Sequence, residues 1–227
     1  MISNHPSVVL VHGAWADGSS WSKIVGPLAA SGIKVVAAPL PLTSFQDDVA
    51  ALERTLERVP GPVVLAGHAY AGAVIGAARS DKVRALVYVA ALAPDEGETV
   101  ADVFYRAQPH PQAPKLAPDD HGLIYLPDTA FAAAFAQNAA AEELAVLTAV
   151  QRPISPACIT VKVPRPLWKD RPAWFLVAEH DRMIVQDTQR FMAARMRAQV
   201  RSHAVDHAPM VTAPSIVLDV LREALAA

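Results

Sequence analysis

The sequence predicts an α/β domain: a mostly parallel sheet of about six strands, doubly wound so that helices cover both faces. Short runs rich in Val, Ile and Leu alternate along the chain with segments of helical periodicity. These runs are continuously apolar, as is typical of strands buried on both faces of a parallel sheet. Before the penultimate run the alternation is lost in a proline-rich stretch, which predicts an insertion.

The apolar runs place the strands, and polar or small residues place the helix ends. The predicted strands are residues 7–12, 33–38, 83–90, 173–179 and 199–205, with one more beginning at residue 62. Ser19 or Ser20 is expected to cap a helix that ends near residue 30, and Ser44 a helix that ends near residue 59. The remaining core helices are expected to end near residue 80 and to cover residues 187–197 and 214–226.

The proline-rich stretch is predicted to be a cap on the α/β core. Residues 1–93 and 172–227 form the predicted core, and residues 94–171 form the predicted helical, proline-rich cap. Two alanine-rich segments, 130–139 and 142–150, predict helices within it, the first capped by Asp128 or Thr129. The cap is therefore expected between the fourth strand and the penultimate strand.

Length and composition limit the class of protein. The 227 residues suit one buried core, and a net charge of −2 with 19% charged residues argues against nucleic acid as a partner. No apolar run approaches the roughly 18 residues of a membrane span. The single cysteine, Cys158, allows no internal disulfide, and no leader precedes the first strand, so a cytoplasmic location is expected. A homodimer is possible, but the sequence leaves the oligomeric state open.

Residues 62–76 carry the most informative motif. They read as an apolar strand, a tight turn and a small-residue helix, the layout of a nucleophile elbow with its Gly-x-nucleophile-x-Gly pattern. Here the pattern is Gly67-His-Ala-Tyr-Ala71, followed by Gly72. The nucleophile position is occupied by Ala69, whose methyl group cannot attack a carbonyl carbon.

Two further loops follow predicted strands, where the active groups of a parallel sheet gather. In the loop after the first strand, Gly13 allows the backbone to bend so that the Ala14 amide points at an oxyanion above Ala69. The Tyr70 amide, just past the turn and at a helix N-terminus, is the expected second donor. An ordinary glycine turn is the alternative reading.

The third group of candidates supplies an acid and a base. In the chain order nucleophile, acid, histidine, Asp181 is the preferred acid and His207 the base. Glu179 and Asp206 are the alternative acids. Glu179 ends a strand and is expected to be a surface acid, and Asp206 adjoins His207 too closely to reach its Nδ1 easily.

Several aromatic side chains are candidates for substrate binding. Trp15, His68 and Trp168 are predicted to line the pocket, although core packing is the usual role of such residues. The histidines and acids lack metal-ligand spacing, and neither a phosphate loop nor a dinucleotide fingerprint is present. No metal and no cofactor is therefore predicted.

Taken together, these motifs resemble the α/β-hydrolase superfamily, and within it the small-cap branch of plant methyl-ester esterases and hydroxynitrile lyases. The resemblance spans nearly the whole chain and is carried by residues 9–15, 18–21, 41–43, 64–72, 86–94, 181–183 and His207. It implies that Asp181 is the acid, His207 the base, and Ala14 and Tyr70 the oxyanion donors. Such relatives normally have serine where this chain has Ala69.

The resemblance leaves three hypotheses about function. The first is hydrolysis of a carboxylic ester, lactone or thioester, inactive or weak without a serine at position 69. The second is chemistry without a nucleophile, as in lyases or cofactor-free enzymes, with His207 as general base. The third is silent binding of a small ligand. In each case the expected partner is a small, apolar, ester-like or carbonyl compound.

Overall fold

The computed structural model describes residues 6–227, which form a six-stranded, all-parallel sheet in the order β2-β1-β3-β4-β5-β6. The predicted fold class is confirmed. The strands are β1 (Ser7–Val11), β2 (Val35–Ala38), β3 (Val63–His68), β4 (Val83–Val89), β5 (Ala173–Ala178) and β6 (Gln199–His203). The chain runs from β1 outward to β2 and then returns across β1 to β3. This reversal opens a crevice between the carboxyl ends of β1 and β3, the usual place for a binding site in such sheets.

Helices cover both faces of the sheet. Those of the core are α1 (Ser22–Ala30), α2 (Phe45–Arg58), α3 (Ala71–Gly76), α7 (Gln186–Arg195), α8 (Pro209–Thr212) and α9 (Pro214–Ala226). Every residue of β1, β3 and β5 is buried, whereas β6 at the sheet edge is half-buried or exposed. This burial explains the continuous apolar runs of the inner strands. None of the helices that residues 6–227 form is long and apolar enough to cross a lipid bilayer.

Between β4 and β5 the chain forms short helices joined by irregular segments. They are α4 (Val100–Phe104), α5 (Asp128–Ala130), a π-helical turn (Phe131–Phe135), α6 (Ala141–Ala149), and 3-10 turns at Pro156–Cys158 and Leu167–Lys169. Antiparallel bridges, Thr99 with Lys162 and Ile124 with Ile154, tie distant parts of this segment together. The division of the chain into core and cap at residues 94 and 171 stays a prediction.

The predicted helix over residues 130–139 is wrong in extent. A short helix gives way to the π turn, and the Ala136 amide donates to the carbonyl of Phe131, five residues back. Phe131 and Phe135 are thereby both buried, and Ala136 leaves the helix with φ −146°. The sequence signals were alanine propensity and a cap at Asp128 or Thr129, but the helix begins after Pro127 without a side-chain cap, and burial of the two phenylalanine rings overrides the propensity.

Two helix ends also differ from the prediction. Asp17, rather than Ser19 or Ser20, caps the first helical turn, since its carboxylate accepts the Ser19 amide at 2.8 Å. Helix α3 ends at Gly76 and does not reach Ser80. The predicted Ser44 cap of α2 is confirmed: its hydroxyl accepts the Asp47 amide at 3.1 Å.

The start of α3 packs directly against the end of β4. A Cβ added to Gly72 would lie 2.4 Å from the carbonyl oxygen of Leu92 and 2.9 Å from the Ala91 Cβ. A contact this short with backbone forces the helix away from the strand. Glycine is therefore required at position 72 for packing.

We expect Gly72→Ala to lower the free energy of unfolding by about 3 kcal/mol, because the added methyl overpacks a backbone contact. The matched control is Gly26→Ala on the exposed face of α1, where an added Cβ meets nothing within 4 Å. That change should raise stability by about 1 kcal/mol through helix propensity. Urea unfolding measures the free energy of unfolding of both variants. A change in Gly72→Ala as small as that in Gly26→Ala would show that α3 can shift to accept the methyl.

Candidate active site

The turn between β3 and α3 is strained at its tip. Ala69 has φ +50°, a left-handed conformation that costs a residue other than glycine about 1 kcal/mol. Two amides hold the turn: those of Leu92 and Gly72 donate to the Ala69 carbonyl at 2.9 and 3.1 Å. The tip thus has the strand-turn-helix geometry predicted from the sequence, with a methyl group as its side chain.

His207 and Asp181 form a buried hydrogen-bonded pair. Asp181 lies just beyond the carboxyl end of β5, and His207 just beyond that of β6. His207 Nδ1 lies 2.8 Å from Asp181 Oδ2. Oδ1 of Asp181 accepts the amides of Met183 and Ile184 at 2.7 and 2.8 Å, and Oδ2 also accepts the side-chain amide of Gln189 at 2.9 Å. Three donors besides His207 therefore hold the carboxylate, which in turn orients the imidazole.

This pairing sets the proton positions on His207. A carboxylate accepts, so Nδ1 carries the proton and Nε2 is left with a lone pair in the neutral ring. Within residues 6–227 no group hydrogen-bonds to Nε2, and His207 borders an apolar pocket beside the turn. Nε2 is therefore available to take a proton from a bound molecule.

The alternative acids have other partners. Glu179 accepts the Ser202 hydroxyl at 2.7 Å and pairs with Arg190 on the surface, in keeping with its expected role. Asp206 is buried, and its Oδ2 accepts the Asn138 amide at 2.9 Å while its Oδ1 accepts the Thr212 hydroxyl. Asp206 thus ties the segment after Phe135 to the loop that carries His207.

The loop after β1 approaches the turn closely. A Cβ on Gly13 would lie 2.9 Å from both the Ala69 Cβ and the His68 carbonyl oxygen. Across residues 6–227, neither the Ala14 amide nor the Tyr70 amide donates to a protein acceptor. Two N–H groups beside the turn are therefore free to bind an oxygen atom.

His12 shapes this loop. Its Nε2 accepts the Leu40 amide at 3.0 Å, so its Nδ1 carries the proton and donates to the Gly13 carbonyl at 2.9 Å. Burial lowers the pKa of His12, in keeping with a neutral ring. This histidine is structural: it bridges the ends of β1 and β2.

The pocket over Ala69 is almost entirely apolar. It has an empty volume of about 620 Å³, including the part open to solvent. Its walls are Ala14, Trp15, Ala69, Tyr70, Leu92, Val100, Ala101, Phe104, Tyr105, Leu116, Ile124, Ile154, Ile159, Met183, Ile184 and His207. Trp15 lies in the wall, as predicted, and its indole N–H donates to the Ile124 carbonyl at 2.9 Å.

The structure corrects two of the predicted lining residues. His68 is fully buried and its Nε2 is 2.7 Å from the His207 carbonyl, so its ring supports His207 from outside the pocket. Trp168 packs near Gly76, at the end of α3 away from the turn. Both were singled out by residue type, which does not tell on which side of the turn or helix a ring lies.

Sequence reasoning missed most of the pocket wall. Helix α4 contributes Val100, Ala101 and Phe104, and a capping box between Thr99 and Asp102 marks its start. That Thr-x-x-Asp spacing was a usable signal. Gln189, which steadies Asp181, had no sequence signal because it lies eight residues away on α7.

The part of the chain from residue 6 onward contains no cluster of three His, Cys, Asp or Glu side chains suited to a metal ion. What the site contains is a paired histidine and carboxylate, two free amides and an apolar pocket at the switch point of a parallel sheet. Apart from the missing nucleophile, this arrangement has the layout expected at the strand-turn-helix of an α/β-hydrolase fold.

Comparison with known proteins agrees with that class. Residues 8–220 match the model of the alpha/beta hydrolase family, and the chain belongs to this family. No curated protein sequence matches it significantly.

Solved structures share the fold over nearly the whole chain. A polyneuridine aldehyde esterase variant superposes with a TM-score of 0.82 at 20% identity, covering 96% of this chain and 98% of the other. A tomato methylketone synthase I variant complexed with β-ketoheptanoate gives 0.82 at 19% identity, covering 96% and 97%. A pyrethroid hydrolase from Sphingobium faniae JZ-2 gives 0.80 at 19% identity, covering 98% of both chains.

The buried histidines make stability depend on pH. Burial, with His207 nearby, lowers the pKa of His68 well below its ordinary 6.5, and burial lowers that of His12. Below pH 6.5 the unfolded chain therefore binds protons that the folded protein does not. The stability that these two neutral histidines contribute is fully present above pH 6.5. Below pH 6.5 the free energy of unfolding falls with the pH, by up to about 1.4 kcal/mol per pH unit for each such proton.

We expect His68→Gln, which keeps an N–H donor but cannot titrate, to flatten this dependence between pH 7 and pH 5. Urea unfolding at pH 7, 6 and 5 measures the slope. His121→Gln, at an exposed histidine, is the control and should leave the slope as in the parent. An unchanged slope in His68→Gln would mean that His68 accepts a proton in the folded protein.

Proposed function

We propose that this protein is an enzyme that acts on an apolar carbonyl compound through proton transfer by His207, without a covalent intermediate. The observation that carries the proposal is the composition of the pocket wall. Its lining residues include no Ser, Thr, Cys, Lys, Asp or Glu, and His207 is the imidazole among them. A general base is thus provided and a conventional nucleophile is not.

Ala69 supports the same conclusion. At the tip of the turn, where a serine of a hydrolase would stand, it offers no oxygen for an acyl-enzyme. The pair of His207 with Asp181 nevertheless has the geometry for proton transfer, with Nδ1 to Oδ2 at 2.8 Å. The two free amides of Ala14 and Tyr70 suit a developing oxyanion or enolate.

The substrate class we favour is a β-keto acid with an alkyl chain. The apolar wall suits an alkyl chain, and the lining has no Lys or Arg to hold a carboxylate in place. A carboxylate in such a site is poorly solvated, and its charge spreads as CO₂ departs. The tomato methylketone synthase I variant, of the same fold, is complexed with β-ketoheptanoate.

The proposed reaction balances without a cofactor. The bond between the carboxylate carbon and the α-carbon breaks, CO₂ leaves, and the electron pair forms an enolate. The amides of Ala14 and Tyr70 hold the enolate oxygen. His207 Nε2 takes the proton from the carboxyl group of the bound β-keto acid before CO₂ leaves, and the imidazolium, stabilised by Asp181, returns that proton to the α-carbon, so the product is a methyl ketone.

Ester hydrolysis by activated water is the second candidate. The pair of His207 with Asp181 and the two free amides suit this reaction as well. Structural neighbours named as an esterase and a hydrolase also favour it. Here His207 takes a proton from water, the hydroxide adds to the carbonyl carbon, and the leaving alkoxide receives the proton. The oxyanion occupies the same two amides.

We expect His207→Ala to lower kcat by at least about 100-fold on β-ketoheptanoate or on short aryl esters, whichever is turned over, because a general acid–base contributes that much. His121→Ala, at an exposed histidine, is the matched control and should retain the parent rate. Release of CO₂ and hydrolysis of p-nitrophenyl esters are the two assays. Full activity in His207→Ala would contradict the proposal.

Ala69→Ser separates the two candidate reactions. For decarboxylation we expect the rate to change by less than about threefold, since no step uses a nucleophile. For esters we expect at least about a tenfold gain, because the new hydroxyl lies in the strained turn within a serine-hydrolase arrangement. Ligand binding without turnover in the parent and in both variants would instead indicate a binding protein.

A further inference from the structure

A buried carboxylate lies behind the turn, outside the pocket. Asp48, on α2, is fully buried and has three partners. Its Oδ1 accepts the Leu42 amide at 2.7 Å, its Oδ2 accepts the Tyr70 hydroxyl at 2.7 Å, and the Cys158 thiol lies 3.5 Å from Oδ2. No Lys, Arg or His in residues 6–227 pairs with it.

The neighbours of Asp48 remain donors. Burial and the adjacent Asp48 raise the pKa of Tyr70 well above its usual range and that of the Cys158 thiol to about 12. Burial also raises the pKa of Asp48 itself. An apolar side chain would fill this position without the cost of desolvating a carboxylate. Unlike an apolar side chain, Asp48 accepts hydrogen bonds and so orients the groups that donate to it.

Tyr70 links this carboxylate to the pocket. Its ring is 3% exposed and is held at the hydroxyl by Asp48, while its amide lies at the turn beside Ala69. Helix α3 has no side-chain cap at its N-terminus and is only six residues long. The peptide group that contains this amide is held at the Ala69 carbonyl by the Leu92 and Gly72 amides, and the bond from the Tyr70 hydroxyl to Asp48 is a second anchor for its orientation.

Asp48 is also connected to the segment that carries Ile154 and Ile159. Leu42, whose amide it accepts, is held at φ +59°, and its carbonyl accepts the Ser155 amide at 3.0 Å. Ser155 and Cys158 lie between Ile154 and Ile159, which both line the pocket. One carboxylate therefore contacts the segments that carry an oxyanion donor and part of the wall.

We propose that Asp48 is a positioning residue, which holds the Tyr70 amide toward the pocket through the Tyr70 hydroxyl and sets the wall formed by residues 154–159. The inference rests on the proposed function, because it assigns the Tyr70 amide to the developing negative charge. Asp48 acts through Tyr70 and contacts no reacting atom. The consequence is a selective loss of kcat when the Asp48–Tyr70 bond is broken.

The first test is Tyr70→Phe, which removes the hydroxyl and leaves the ring and the amide. We expect kcat to fall about tenfold while KM changes less than about twofold, since the amide acts on charge that develops in the transition state. Tyr88→Phe is the matched control: the Tyr88 hydroxyl is buried and has no hydrogen-bond partner within the described chain. Its kcat should match that of the parent.

Substitutions at Asp48 test the coupling. Asp48→Ala should lose at least as much kcat as Tyr70→Phe, because it breaks the same bond and also frees the Leu42 amide and the Cys158 thiol. The double variant should lose no more than Asp48→Ala alone, since the bond between the two residues is already broken there. Asp48→Asn, which can still bond to the tyrosine hydroxyl and the Leu42 amide, should retain kcat within about threefold. Additive losses, or a kcat of Tyr70→Phe within twofold of the parent, would overturn the proposal.

A readout without turnover separates this inference from the proposed function. In ¹H–¹⁵N spectra we expect the amide resonance of residue 70 to shift in Asp48→Ala and to keep its parent position in Asp48→Asn and Tyr88→Phe. The shift of the residue-70 resonance is expected even if the protein turns over no substrate. In that case the proposed function fails, and the positioning role of Asp48 stands. An unmoved residue-70 amide in a folded Asp48→Ala protein would overturn the positioning role itself.

Discussion

The structure depends on the close packing of backbone around one strained turn. Ala69 is held in a left-handed conformation between β3 and α3, and glycine permits the contacts around it. A Cβ on Gly13 would touch the Ala69 methyl, and one on Gly72 would overlap the Leu92 carbonyl. The loop after β1, the turn after β3 and the end of β4 can meet only because these positions lack a side chain.

That packing brings the chemical groups of the site together. The free amides of Ala14 and Tyr70 flank the turn, and the loop after β6 carries His207 over it. Asp181 is held by the Met183 and Ile184 amides and by Gln189, so its orientation does not depend on the histidine alone. The result is a buried histidine–carboxylate pair beside an apolar pocket, with the methyl group of Ala69 at the tip of the turn.

The segment between β4 and β5 is attached to the loops of the site through hydrogen bonds at residues 124, 138 and 152 and through apolar contacts at the pocket. Asp206 accepts the Asn138 amide, and the Trp15 indole donates to the Ile124 carbonyl. The Trp15 amide donates to the Arg152 carbonyl at 3.0 Å. Loops that carry the amides and His207 are thus bonded to the same segment that supplies much of the wall, which couples the shape of the pocket to the position of its polar groups.

The sequence alone determined the parallel sheet, the turn at Ala69 and the order of Asp181 and His207 along the chain, because continuous apolar runs and glycine spacing are local signals. Tertiary structure decided which rings face the pocket: Trp15 does, whereas His68 lies behind His207 and Trp168 packs at the far end of α3. It also decided the break after Phe135 and the burial of Asp48 against Tyr70. Those outcomes depend on contacts between residues far apart in the chain, which periodicity and propensity do not encode.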